Sequence, residues 1–516
     1  MKPYKIFLTF LTILALIVLI SYYFPPGGIR ITPEFTIEFP SWNQLMNYEQ
    51  EDYKDISNIV QNNMPVDTMA PVMTDTLTET EETDTLAGQK ETPKQEDLPA
   101  DTSKPINQTE TTEHANPLQY PGNNPEVLYP FYRSIEKLPN NDELIRILHY
   151  GDSQIEGDRI TSYIRNQLQK KFGGAGVGLF PAVLPHNTNI SLKHSLSGKW
   201  ERFTIHDLDQ ANFKHRRFGV LMSFSRCSPY YSYYQDEVYK AWLSIRSSPI
   251  AFNLTSRYTR CRVFYGYNEE PFIVKMNYGG KTTDADMMPA SSSIREMNWE
   301  IPRSVERFRL TFKGNHSPDI YGITLDGKEG VAVDNIPLRG SNGTGFTKTD
   351  TSFYRKMLDK LNVKLVILHF GVNIVPVIRD SYDFYEEQFY NQLKMFKSFD
   401  PNLSVIVMGV TDMSRKEGGQ YESYPNIPKI RDAQKNAAFR AGCAFWDSYQ
   451  AMGGKNSMPS WVFADPPLAR KDFTHFTYKG SVVISKMFYK ALIRDYRKYK
   501  QENQTVEIQS SKEDSK

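Results

Sequence analysis

Ser153 stands in Gly151-Asp152-Ser153-Gln154, directly after an apolar run at 144–150. A serine where a buried strand turns into a helix sits on the rim at which α/β sheets bind ligands. Free N–H groups at such a helix start stabilise an oxyanion, so Ser153 suits attack on an ester carbonyl. A serine nucleophile needs a base within hydrogen-bond reach, and the base needs an orienting carboxylate. Asp472 and His475, in Asp472-Phe473-Thr474-His475, supply both from one loop. Each piece alone has a plainer reading: Gly-Asp-Ser as a capped turn, Asp472 as a helix cap beside an incidental histidine. Together they fall on the first and last elements of one α/β unit, and that pairing carries the inference. Asn373, in His369-Phe370-Gly371-Val372-Asn373, follows a strongly apolar strand and can donate its amide to the same oxyanion. Gly340, after the strand beginning at 330, can present its backbone N–H there. Turn chemistry also accounts for both residues.

These side chains need a scaffold, and the apolar pattern provides one. Ile160, Ile164, Leu168 and Phe172, spaced by four, predict a helix after the serine, stopped by Gly173, Gly174 and Gly176. Apolar strands expected at 144–150, 330–335, 363–370, 403–410 and 443–447 alternate with helices expected at 352–361, 382–399, 430–441 and 477–500. Continuous apolar strands between helices predict a parallel sheet covered on both faces. Between about 189 and 318 the texture changes to short alternating runs such as 262–267, 272–276 and 307–312. That is the pattern of an antiparallel β-sandwich.

The 516 residues exceed one ordinary domain, and 40% hydrophobic content suffices for real cores. A formal net charge of +1 provides no field favouring nucleic acid. Cys227, Cys261 and Cys443 form no CxxC pair, so no metal or redox site is expected. Cys227 and Cys261 are either a disulfide or buried free thiols. Lys2 and Lys5 precede an apolar run at 6–24, whose nineteen residues reach roughly 28 Å as a helix. No small-x-small site follows, and no cysteine for a lipid. The run reads as an uncleaved signal anchor with the positive end inside, a cleaved signal peptide being the alternative. Residues 62–124 are rich in Thr, Glu, Asp, Pro and Gln and read as a disordered tether.

The four blocks, in this order, resemble the SGNH/GDSL hydrolase family. The resemblance implies a flavodoxin-like parallel sheet with Ser153 as nucleophile and His475 as base, oriented by Asp472. It implies an oxyanion hole from the Ser153 and Gly340 N–H groups and the Asn373 amide. The family's Asp after that Asn is Ile374 here. The long insertion, the text at 149–158 and the Gly-rich stretch at 172–178 resemble peptidoglycan O-acetylesterases, in which a carbohydrate-binding β-sandwich interrupts the hydrolase domain. The implied division is a 1–25 anchor, a 26–125 linker, a hydrolase domain made of 126–190 and 318–500, a sandwich inserted at 191–317, and a disordered tail at 501–516. The implied activity is removal of O-acetyl groups from a cell-envelope glycan, on the periplasmic or extracytoplasmic side of a membrane, without metal or organic cofactor. An O-acetyltransferase with the same triad and a non-catalytic tethered glycan-binding protein are the alternatives. Within the insertion Tyr231, Tyr233 and Trp242 are sugar-stacking candidates, as are Trp200 and Trp299; core filling is the plainer reading for each single residue.

Overall fold

The computed structural model describes residues 3–25, 29–32, 35–37, 39, 53–64, 116–185, 189–207, 213, 215–230, 237–283, 285–303, 305–417 and 419–513. Tyr231 and Tyr233 lie outside the described residues, as does 65–115, most of the expected tether.

Five strands form the parallel sheet: β1 Leu144–Gly151, β2 Gly330–Pro337, β3 Val363–His369, β4 Ser404–Met408 and β5 Ala444–Trp446. They lie side by side as β2-β1-β3-β4-β5, the flavodoxin-like order. The continuous apolar runs are buried on both faces, because each face has its own layer of helices. Starting from the N-terminal apolar helix α1 (Pro3–Tyr23), the helices that matter to the sheet are α2 (Thr161–Phe172), α3 (Thr351–Leu361), α4 (Asp383–Phe399), α5 (Ile427–Arg440) and α6 (Tyr478–Glu513). Ile145, Ile147, Leu365 and Ile367 pack under Ile164 and Leu168 of α2 and Val483 and Phe488 of α6. Leu148, Tyr150, Val366 and Leu368 pack under Phe353 of α3, Phe396 of α4 and Ile430 of α5. The sequence dictates the ends of α3: the Asp350 carboxylate accepts from the Phe353 N–H at 3.0 Å, and Asn362 closes it in the left-handed conformation.

Two antiparallel sheets fill the insertion. One runs in the order Lys281–Thr282, Phe272–Tyr278, Arg307–Gly314, Tyr239–Ser247, Leu192–Ser197, with Asp286–Met288 added on Phe272–Tyr278. The other contains Ser291–Glu300, Arg260–Asn268, Asp319–Asp326, Ser223–Arg226 and Glu201–Thr204, with Gly178–Phe180 added on Asp319–Asp326. Their facing side chains, among them Leu243, Val274, Leu310, Val263 and Ile323, make one core. The second sheet buries its other face too, with the Tyr321 ring 4.5 Å from Phe353 of α3.

Three expected boundaries need correction. Gly178–Phe180 and Asp319–Asp326 pair with each other, Ile323 opposite Phe180, so the antiparallel unit extends past 191–317 on both sides. Asp319–Asp326 is buried at every position because its sheet is a middle layer, so it reads like a parallel strand. The expected disordered tail at 501–516 is helical through Glu513, since no Gly or Pro interrupts α6 after Gly480. Within 26–125, two stretches are ordered against the α/β unit. Ile56 is buried, Tyr53 stacks on Phe463 at 5.2 Å, and the Lys490 ammonium donates to the Asn62 carbonyl. Gln119 bonds both ways with Phe445 of β5, so residues expected to be linker up to 125 belong to the α/β unit.

Along α1, Phe7, Leu8, Phe10 and Leu14 are exposed. Among the described residues no helix is long and apolar enough to cross a membrane.

Cys227, Cys261 and Cys443 are all free and buried, so the thiol reading is the one the structure adopts. Burial pushes the Cys227 and Cys443 thiols up to about 12. A thiol reagent is therefore expected to label none of them in the folded chain and all three after denaturation, and reductant should leave the Tm unchanged. Rapid labelling of the native protein would contradict this.

Candidate active site

β1 ends at Gly151, and the chain turns at once. Asp152 accepts from the Gln154 N–H at 3.0 Å and opens a 3-10 turn, Ser153–Asp158. The helix expected to begin at the serine starts only at Thr161, so it is this turn, not α2, that presents Ser153. A Cβ on Gly151 would come within 2.9 Å of the His369 carbonyl, so the residue before the turn must be glycine.

The loop before α6 brings the other two groups. The Ser153 Oγ lies 2.8 Å from His475 Nε2, and His475 Nδ1 lies 2.8 Å from Asp472 Oδ2. Asp472 Oδ1 accepts from the backbone N–H of Thr474 at 3.0 Å and of His475 at 2.9 Å. Burial works against ionisation of Asp472, but these hydrogen bonds outweigh it and bring its pKa down to about 2. With Asp472 ionised, Nδ1 carries the proton and donates, which leaves Nε2 free to accept from the serine.

Several groups clamp the serine turn to this loop. Arg159 donates to the carbonyls of Ser153 at 2.7 Å and Phe476 at 3.3 Å. Gln154 donates to the Thr474 carbonyl at 2.7 Å. Phe473 is held in the left-handed conformation, φ 53°, which a bulky residue rarely adopts. Tyr421 stacks on its ring at 3.6 Å, and the Ser414 N–H bonds to its carbonyl at 3.1 Å.

Asp152 is fully buried, and its second oxygen accepts from the Gly371 N–H at 3.1 Å. It thereby ties the serine turn to the loop after β3. Burial pushes its pKa up to about 6, against the pull of N–H groups from Gln154, Val372 and Gly371 and of His475. A carboxyl whose pKa is higher folded than unfolded binds more protons in the folded state. Its effect is to lower stability as pH rises from about 4 to about 6, by roughly 2–3 kcal/mol when complete. Asp152→Asn removes that titration. The Tm difference between variant and parent should shift in the variant's favour across that window; a constant difference would contradict the assignment.

The two further residues expected to donate to the oxyanion, Gly340 and Asn373, sit on adjoining loops. The Leu338 N–H bonds to the Gly151 carbonyl at 2.7 Å, which brings the turn at 338–341 beside the serine turn. Gly340, φ 75°, is exposed on it. Asn373 is exposed, and its amide donates to the Ser341 carbonyl at 2.9 Å. Ile374, in place of the family's carboxylate, packs against the core below.

Trp299 is buried and its indole N–H bonds to Asp286 at 2.6 Å, so it fills the sandwich core. Trp200 donates to the Trp242 carbonyl and packs edge-on against Phe312. Trp242 is half-buried on the outward face of its sheet, its neighbours Ala241 and Leu243 pointing into the sandwich core. Sequence reasoning missed Arg159 as a clamp and the buried role of Asp152. Both lie in or beside the block around the serine, but only the fold shows their partners. Among the described residues no cluster of His, Cys, Asp and Glu is arranged to hold a metal.

No family model matches the sequence, and no curated protein does. Solved structures do. A peptidoglycan O-acetylesterase superposes with a TM-score of 0.55 at 19% identity, covering 72% of this chain and 96% of that one. A putative GDSL-like lipase from Parabacteroides merdae matches 31% of this chain and 72% of its own, at 13% identity and a TM-score of 0.24. A family two carbohydrate esterase from Cellvibrio japonicus matches 59% of this chain and 99% of its own, at 6% identity and a TM-score of 0.23. Only the first superposes closely enough to define a shared fold. The expected architecture, a parallel α/β sheet with an antiparallel β-sandwich inserted in it, is therefore shared with that solved structure at the level of the fold.

Proposed function

We propose that this chain is a serine esterase that removes O-acetyl groups from a cell-envelope glycan. The observation that carries the reading is the line of hydroxyl, imidazole and carboxylate at 2.8 Å spacings. Ser153 Oγ attacks the acetyl carbonyl carbon while His475 Nε2 takes its proton. The Ser153 and Gly340 N–H groups and the Asn373 amide receive the oxyanion, and one such donor is worth about 3–4 kcal/mol. His475 then gives the proton to the departing sugar oxygen. Water, deprotonated by the same ring, attacks the acyl carbon; the ring then returns that proton to Ser153 Oγ as its bond to the acetyl group breaks, and acetate leaves. Asp472 holds the ring's tautomer and offsets its charge throughout.

One solved structure that shares this fold is named a peptidoglycan O-acetylesterase, which makes O-acetylated peptidoglycan the first substrate to test. Sugar stacking by Tyr231, Tyr233 and Trp242 belongs to the same reading, as does the division into a hydrolase unit and an inserted sandwich. We place the enzyme on the extracytoplasmic side of a membrane, held by α1. The exposed apolar side chains along that helix and the lysines at its start support this.

The test is incubation with O-acetylated wall and polysaccharide preparations, with Ser153→Ala as control. Free acetate produced only by the parent is the expected result. Acetyl groups moved onto polymer hydroxyls would make it a transferase. Equal background with both proteins would leave a tethered binding protein.

A further inference from the structure

We propose that the outward face of the sandwich sheet farther from the α/β unit is a binding surface for an anionic polysaccharide. Strand alternation sends Leu243, Val274 and Leu310 into the sandwich core and their neighbours to the surface. Across three strands, Arg307 stands opposite Arg246, and Arg246 opposite Lys193. At the other end of the same strands Lys313 stands opposite Lys240. Lys275 and Arg309 lie between, and all seven side chains are exposed. Among the described residues none of the seven forms an ion pair, and no outward-facing position of these strands is acidic. Glu237, two residues before the strand Tyr239–Ser247, is engaged by Lys199 and the Tyr239 hydroxyl.

Like charges directly opposite on a sheet destabilise it, and here they recur in a chain whose net charge is only +1. An anionic occupant relieves that repulsion. The centre of the face specifies what kind. Trp242 is half-exposed there, with the Arg309 guanidinium 4.2 Å from its ring centre. Its cross-strand neighbour Thr311 bonds to Asn277, and Asn277 to Thr282. An aromatic ring, hydroxyls and an amide among cations suit sugar rings bearing carboxylates or phosphates. Among the described residues the exposed aliphatic side chains at or beside this face are scattered, Ile273 and Met287 at one edge, Val238 just before Tyr239–Ser247 and Leu196 on the edge strand, and form no continuous membrane-inserting patch. The proposal rests on the reading of the insertion as carbohydrate-binding and needs no contribution from Ser153, Asp472 or His475.

The test uses the full chain carrying Ser153→Ala, in neutral detergent, so that no turnover intervenes. Binding to polygalacturonate is compared with binding to neutral pullulan and to phosphatidylglycerol vesicles over a salt series. Polygalacturonate should bind well at low salt and weaken as salt rises, and pullulan should bind far less. Adding Lys275→Glu with Arg309→Glu should weaken polygalacturonate binding by about tenfold or more, while Lys275→Arg with Arg309→Lys retains it. Trp242→Ala should weaken it at unchanged charge. Melting curves establish that each variant is folded. Unchanged polygalacturonate binding by the charge-reversed chain overturns the proposal. So does a reversal that weakens only vesicle attachment, which would make the face a membrane surface.

Discussion

Replacing Ser153 with alanine is expected to lower ester turnover by roughly four to six powers of ten. The Oγ is the only group of the triad that can bond to the acyl carbon, so its loss removes the covalent route entirely. What remains is the acceleration due to binding and to the oxyanion donors. The fold should not suffer: Ser153 is half-buried, and its hydroxyl bonds to the exchangeable ring of His475 rather than into the core. A surface-like change within about 0.5 kcal/mol is expected in stability. Initial rates on an acetyl ester, with denaturation curves for both proteins, separate lost chemistry from lost structure. A variant that stays within tenfold of the parent would remove Ser153 from the reaction.

Asp472→Asn should cost roughly 10⁴-fold in turnover with the geometry nearly intact. The amide cannot both accept the Nδ1–H and keep its oxygen on the N–H groups of Thr474 and His475. The ring then favours the tautomer with its proton on Nε2, where it cannot take one from Ser153. The same change has a thermodynamic signature. The folded-state pKa of Asp472, about 2, lies below its ordinary value. Its contribution to stability is therefore complete above about pH 4 and lost as pH falls towards 2. The variant should lack that acid-side component. A variant with parent-like turnover and acid sensitivity would refute the carboxylate's role.

The line of three groups that the structure brings together is legible in the sequence because they lie in two short blocks. Asp472 and His475 are three residues apart on one loop, and Ser153 follows an unmistakable buried strand. The strand order is legible through the resemblance, and β2-β1-β3-β4-β5 matches it. Long-range partners are not. Asp152 acts through the N–H of Gly371, 219 residues away, and nothing local marks that bond. The start of α2 escapes the pattern because Ile160 caps the helix yet shares its apolar spacing. The sandwich boundary escapes it for a physical reason: a middle-layer antiparallel strand and a parallel strand are both apolar throughout. Trp242 has no assignable face until the register with Thr311 is known.

The central claim is that the acyl group passes through the Ser153 oxygen. It is tested most directly by quenching a reaction with an activated acetyl ester in acid and mapping the peptides by mass spectrometry. One acetyl group on the peptide carrying Ser153, absent from Ser153→Ala and lost on incubation at neutral pH, is the predicted result. Steady acetate release with that peptide unmodified at every time point, while a fluorophosphonate also fails to label it, would contradict the account.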